Sequence, residues 1–314
     1  MPRWIYRQLG DRVFAWGVVA VALGVVALGL VTAWELYTGG ALALSTFGFW
    51  RFITTSTWDA VRGVFGAWPP ILGTLLTSAL ALLLAFFPSL AAAIFVVEYA
   101  PRWAREPVAY LIDLLAALPS VVYGLWGIFV LVPLVRTYVE TPLFTWAASH
   151  APGLLPLLGP PTGIGFLSAT LVLALMIVPY ASALARDALG LVPREQREAL
   201  YALGATRWEV VRWVVVPYAR AGIFAGVVLA LARALGETMA VTMLIGNAVQ
   251  LPYSLFGPAA TMASLIANEF TEAESDLHLS ALIAVGFVLF LISLVVNLIA
   301  TWIHNRLSFA GGRR

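Results

Sequence analysis

The chain has no cysteine and no lysine, three histidines, and 11% charged residues over a length of 314. Without cysteine there is neither a disulfide framework nor a thiolate metal site. His150, His278 and His304 are far apart in sequence and form no ligand spacing. No G-x-x-x-x-G-K-[ST] occurs, so the chain lacks the loop that cradles nucleotide phosphates. The apolar stretches hold no Ser/His pair, no His-Glu motif and no paired acids at a workable spacing, which argues against an intramembrane enzyme. No catalytic residue, metal ligand or cofactor is expected. Tandem repeats, heptad arrays and low-complexity tails are also missing.

What the chain does have is apolar length: 61% of its residues are hydrophobic. A span across the hydrocarbon core needs about 20 such residues as a helix. Six stretches meet that length, roughly 13–34, 71–97, 108–135, 164–184, 221–246 and 279–303. Helices are expected because a backbone in lipid must satisfy its own hydrogen bonds, and no alternating ten-residue pattern suggests a barrel. Pro88, Pro119, Pro133 and Pro179 fall in or at the ends of these spans and would kink them. The expected class is an all-α integral membrane protein. Residues 1–70 would form an N-terminal transmembrane helix with an external segment, and 71–305 the main membrane domain.

All eighteen basic residues are Arg, and they set the expected orientation. Taking the N-terminus as cytoplasmic, that side carries Arg3, Arg7, Arg12, Arg102, Arg105, Arg186, Arg194, Arg197, Arg207, Arg212, Arg220, Arg306, Arg313 and Arg314. The opposite side carries Arg51 and Arg62, and its 247–278 segment has Glu269, Glu272, Glu274 and Asp276 with no Arg. An N-in, C-in topology follows. Arg clusters this short read as topology, so lipid is the expected contact and no nucleic acid is. The first span could also be a signal peptide, with "ALA" at 41–43 as a cleavage site, but its core is long for one. Segment 35–70 suits an external cap, and 137–163, rich in Pro and Gly, suits an outer loop. Glu98 and Asp113 are expected to be solvated or paired with Arg102 or Arg105.

The longest cytoplasmic connection is "VPREQREALYALGATRWEVVRWVVVPYAR", 192–220. Pro193 suits a first helical turn, and the helix should run to about Leu203. Gly204 offers the left-handed conformation that ends helices. Thr206 and Glu209 form a T-x-x-E capping box that restarts one at once, limited by Pro217. The result is two short helices at a Gly corner, with Ala199, Leu200, Ala202 and Leu203 on one face. Such a helix could lie on lipid headgroups or insert into a partner's groove.

Glu198, Ala199, Gly204, Val214, Val216 and Pro217 resemble, in type and spacing, the EAA loop of ABC-type importer permeases. Leu200 stands where a second Ala is usual. Together with 73–101, "LPSVVYGLWG" (118–127), 159–189 and "RALGETMAVTMLIGN" (233–247), the chain resembles the phosphate-uptake permeases of the PstC type over roughly 70–305. The resemblance implies a type I ABC importer (MetI-like) fold in a prokaryotic plasma (inner) membrane. It makes 193–217 the coupling helix region, with Glu198, Ala199, Gly204, Ala205 and Thr206 meeting an ATPase. It further implies a second, PstA-like permease, two PstB-like ATPase subunits and an external PstS-like phosphate-binding protein. The sister PstA type, or a permease for sulfate or molybdate, is the nearest alternative. A stand-alone secondary transporter or channel is the next.

Arg233 and Glu237 are the two full charges of the fifth apolar stretch. Each would cost about 2.5–3.5 kcal/mol facing lipid at a helix centre. Their i, i+4 spacing puts them on one face, in the weaker order for mutual support. One reading is a structural bridge, or Arg233 bonded to a neighbouring span's carbonyls. The other is a charged station on a translocation path, where the planar guanidinium suits phosphate oxygens in pairs. Glu237 would keep such a station weak by competing for Arg233, or, protonated, would donate to the anion. Thr238 and Thr242 could add neutral donors on the path, and Asn247 beside them, although span Thr commonly bonds its own helix. Met239 and Met243 are expected to pack.

Overall fold

The computed structural model describes residues 3–311 of the chain, with side chains described for Asp11 and 13–306. Arg3, Arg7, Arg12, Arg313 and Arg314, which entered the charge bias, lie outside those described side chains. Among the described residues, six helices are long and apolar enough to cross a membrane. We label the helices in chain order. α1 spans Arg3–Gly39, α2 Ala41–Phe47 and α3 Phe49–Thr54. A two-residue hairpin follows, β1 (Trp58–Asp59) paired antiparallel with β2 (Val64–Phe65). Then come α4 (Trp68–Tyr99), α5 (Arg102–Ala117), α6 (Ser120–His150), α7 (Phe166–Gly190) and α8 (Arg194–Ala202). The last four are α9 (Arg207–Leu235), α10 (Met239–Leu244), α11 (Met262–Glu269) and α12 (Asp276–Gly311).

α7 is the central helix, packed on α4 and α9. Lipid tails are as apolar as Leu, so helices in a bilayer associate through close packing at small residues. Ala81 and Ala85 of α4, Ala169, Ala174 and Ala181 of α7, and Ala230 and Ala234 of α9 are all buried in one cluster. Gly222 and Gly226, a G-x-x-x-G pair on α9, lie so close to α7 that a Cβ would sit 2.3 Å from Ala188 Cβ and 2.9 Å from the Ala181 carbonyl oxygen.

Three expected elements differ. The third span is not one helix: α5 ends at Ala117, and Leu118–Pro119 break the chain before α6. Pro119 has no N–H to continue α5, and the residue before a proline is forced out of the helical region. The tandem α5–α6 still runs antiparallel along α7. Asp113 meets Arg186 at one end, and Glu140 accepts the Gly163 N–H at 2.7 Å at the other. The loop expected over 137–163 begins with helix, because α6 continues to His150. Pro217 does not end a short helix either. A π-helical turn at Val211–Val215, closed by Val216 N–H on the Val211 carbonyl, carries the chain past it, so the second short helix is the first turn of α9. Pro88 and Pro179 lie inside continuous helices, and Pro133 follows another π-helical turn, Gly127–Leu131.

Segment 35–70 is an ordered cap on the end of α12. Phe52 and Phe65 are fully buried against Met262, Leu265, Leu282 and Val285. Glu269 Oε2 accepts Trp58 Nε1–H at 2.8 Å and lies 2.9 Å from His278 Nε2, while the His278 ring stacks on Phe65. At the same end the loops 155–167 and 245–259 hold each other through the backbone. Gly165 N–H donates to the Leu244 carbonyl, Phe166 N–H to Gly257, and Ala259 N–H to Ile245.

Candidate translocation site and coupling surface

The fifth apolar stretch also breaks. α9 ends at Leu235, and α10 starts at Met239 after Gly236, Glu237 and Thr238. Arg233 and Glu237 are therefore not in mid-helix as expected: Arg233 is in the last turn of α9, and Glu237 is in the gap. The reason is local. Gly236 brings no helix propensity, and Glu237 Oε1 accepts the Ala240 N–H at 3.3 Å, as a capping side chain does at a helix start.

The i, i+4 pairing survives this break. Arg233 Nη2 lies 3.1 Å from Glu237 Oε2, with the Glu237 side chain 2% exposed and that of Arg233 37%. Both carboxylate oxygens of Glu237 are thus engaged, one by the guanidinium and one by the backbone. The guanidinium also sits over the Tyr180 ring at 5.8 Å, and its Nε is buried with no hydrogen-bond partner among the described residues. Tyr180 in turn donates to the Ala116 carbonyl at 3.0 Å, and Tyr123 to Leu115 at 2.8 Å. Two tyrosines thereby bond carbonyls of the last turn of α5, where the helix stops. Tyr180 ties the α5–α6 break to the α9–α10 break, and Gly124 of α6 packs against Ala240 and Met243 of α10.

Thr238 and Thr242 lie beside the pair, but each hydroxyl is bonded to the backbone, Thr238 to Gly236 at 3.2 Å and Thr242 to Thr238 at 2.7 Å. Asn247 donates to the Thr242 carbonyl at 2.8 Å and leaves its Oδ1 buried without a partner. Met243 packs into the bundle, whereas Met239 is exposed. Among the described residues, no group of three or more His, Asp or Glu could hold a metal ion.

The second site is the corner between α8 and α9. Gly204 has φ +84°, and Thr206 and Glu209 form the reciprocal capping box, with Glu209 Oε2 accepting the Thr206 N–H at 2.7 Å. Glu198, Ala199, Ala202, Gly204 and Thr206 are exposed, and Leu203 is 84% exposed. Leu200 and Ala205 instead turn inward onto Val192, Val210 and Val215. An apolar ridge at the head of a short helix is thus left without a partner among the described residues.

Sequence reasoning missed several charged partners. Glu98 pairs with Arg197 at 3.0 Å and Asp113 with Arg186 at 3.0 Å, not with Arg102 or Arg105. Glu140, fully buried in α6, was not singled out at all. A lone Glu in an apolar run is the one signal that marked it.

A sequence profile of binding-protein-dependent transport system inner membrane components matches residues 89–309. The phosphate transport system permease protein PstC of Mesorhizobium japonicum is 46% identical over 305 residues, 97% of this chain and 93% of that protein. PstC of Pasteurella multocida is 46% identical over 280 residues, 89% of this chain and 87% of that protein. A probable PstC of Methanocaldococcus jannaschii is 40% identical over 271 residues, 84% of each. Among solved structures, a bacterial ABC transporter that imports the acidic polysaccharide alginate aligns with TM-score 0.61 at 18% identity, over 96% of this chain and 99% of that one. The inward-facing MetNI methionine transporter aligns with TM-score 0.56 at 18% identity, over 80% of this chain and 96% of that one. The solved structures give the MetI-like ABC importer permease fold, and the family profile and the PstC relatives, with the six spans, give a multi-pass inner-membrane protein. The chain belongs to the family of binding-protein-dependent transport system inner membrane components.

Proposed function

We propose that this chain is the permease subunit of an ATP-driven inorganic phosphate importer of the PstC type, forming half of the translocation pathway. The observation that carries the substrate class is the partly open guanidinium of Arg233, held between a buried carboxylate and an aromatic face at the meeting of two helix breaks. Unwound segments inside a membrane persist where they line a cavity or are buried in protein. A guanidinium there offers paired donors to phosphate oxygens. Glu237 competes for the same nitrogens, so an arriving anion is held weakly and leaves again. Thr238 and Thr242 flank this station.

The Arg-rich end, with α8 and the Gly204 corner, faces the cytoplasm, and the acidic end faces out. Ala199, Ala202 and Leu203 fill a cleft in an ATPase subunit, with Glu198, Gly204, Ala205 and Thr206 setting the corner. ATP hydrolysis belongs to that separate subunit, of which two serve a pair of permeases, this chain and a PstA-like partner. A PstS-like binding protein delivers phosphate from outside. A fold neighbour solved in complex with a ligand-bound periplasmic protein supports this architecture. The docking surface on this chain is the groove of about 910 Å³ lined by Trp58, Asp59, Glu269, Glu272, Glu274 and His278.

The test is phosphate uptake into proteoliposomes holding this chain, its partner permease and the ATPase, with binding protein and ATP. Uptake that needs all components supports the proposal. Uptake by this chain alone, without ATPase, would make it a secondary transporter or channel.

A further inference from the structure

Glu98 and Arg197 form a buried ion pair to which the translocation site gives no role. The Glu98 side chain is 9% exposed and that of Arg197 17%. Glu98 lies in the last turn of α4, a π-helical turn over Phe95–Tyr99. Arg197 lies in the middle of α8, next to the exposed ridge.

The contacts of Arg197 are unequal. Nη1 donates to the Val192 carbonyl at 2.7 Å and Nη2 to the Leu189 carbonyl at 2.8 Å, both at the end of α7. Both are short, directional, charge-assisted bonds. The contact with Glu98 is of another kind. Nη2 is 3.0 Å from Oε1, yet neither that oxygen nor Arg197 Nε has a hydrogen-bond partner among the described residues. What joins them is charge at close range in a low-dielectric setting, which has no preferred direction.

Two neighbouring contacts grip the same turn. Arg105 of α5 donates to the Val97 carbonyl at 2.6 Å, and the Arg207 guanidinium, just past the Gly204 corner, sits 5.0 Å from the Tyr99 ring centroid. Three arginines from three elements thus hold Val97, Glu98 and Tyr99 in succession. Two of the three flank the corner that the exposed ridge sits on.

We infer that Arg197 is a positioning residue that locks α8 to the end of α7 through directional hydrogen bonds and draws the end of α4 along through Glu98. A push on the exposed ridge then moves the ends of α4 and α7 together, instead of passing only along the covalent chain into α9.

This rests on the proposed coupling to an ATPase, and the experiment separates the two. Glu98→Gln keeps the shape of the side chain and the two carbonyl bonds of Arg197 while removing the charge contact. The full transporter is reconstituted, and phosphate imported per ATP hydrolysed is measured for the wild type and for Glu98→Gln. ATPase not joined to a permease is removed before the assay, so that the ratio reads assembled transporters only. A wild type without ATP-dependent uptake would overturn the functional proposal itself. With an active wild type, a ratio in Glu98→Gln at least threefold lower supports the lock, and a ratio within threefold overturns it. If Glu98→Gln does not assemble, Arg197→Lys, which keeps the charge and loses the fork, is read against the same threefold line. Glu98→Asp should restore most of the ratio.

Discussion

At the scale of the residue, the central fact is that Glu237 is closed in and Arg233 is not. Glu237 has both oxygens occupied, while Arg233 keeps a third of its surface open and an unpartnered Nε. Removing Arg233 alone leaves a buried carboxylate without its counter-charge, a situation that costs about 3–5 kcal/mol. The clean variant is therefore Arg233→Gln together with Glu237→Gln. It is expected to reach the membrane at wild-type abundance by immunoblot. Uptake should fall roughly hundredfold, because two charge-assisted hydrogen bonds to phosphate contribute about 3 kcal/mol. Wild-type uptake in that double variant would make the pair a structural bridge only.

At the scale of the element, the Gly204 corner decides how α8 is presented. No atom crowds the position, so a side chain there meets no clash; its cost lies in the backbone at φ +84°. A non-glycine residue in that region costs about 1–2 kcal/mol, and a β-branched one is a steric outlier. Gly204→Val should therefore weaken ATPase association by roughly tenfold, measured by pull-down from detergent. Gly204→Asn should stay close to wild type, because Asn tolerates the left-handed region. Equal ATPase recovery with Gly204→Val would count against the docking role of the corner. The local signals here were legible: the Gly, the T-x-x-E box and Pro193 each appear where the backbone uses them. Pro217 was not, because it is absorbed by a π-helical turn that has no mark of its own in the sequence and whose Val215, like Val210 before it, packs with Ala93 of α4 and Ala185 and Leu189 of α7.

At the scale of the whole molecule, the cap and the membrane bundle have distinct hydrophobic clusters that are joined along α4, through Ile71 and through the Met262 N–H on Thr74 Oγ1. The cap is built on Phe52 and Phe65 over α11 and α12, away from the α4–α7–α9 cluster that supports the Arg233 station. Phe52→Ala removes a fully buried ring, which costs about 3–5 kcal/mol. It should lower the thermal midpoint of the purified protein while leaving uptake per folded transporter unchanged; loss of that specific activity would tie the cap to transport. The acidic groove beside the cap yields an electrostatic expectation. Charge at an interface rim acts mainly on the association rate. Glu272→Gln with Glu274→Gln should slow capture of the binding protein several-fold at low salt and by less at high salt, as stopped-flow association would record. An association rate unchanged at low salt would remove the groove from the docking surface.

Composition and apolar length were enough for the class of protein and for the number of spans, though not for the bounds of the third and fifth, because a bilayer admits few solutions and each needs its own run of about 20 residues. The Gly corner and the Arg233–Glu237 pairing were equally legible, since both depend on neighbours within five residues. The breaks at Leu118–Pro119 and Gly236–Thr238 fall inside stretches whose length reads as a single span, and Pro119 and Glu237 mark them only as a kink and a charge. Whether a carbonyl freed there is satisfied depends on Tyr123, eight residues on, and on Tyr180, sixty-four residues away. The partners of Glu98, Asp113 and Glu140 were hidden for the same reason. A charge in lipid binds whatever opposite charge or free N–H the packing of helices brings within about 3 Å, and hydropathy carries no information about which that is.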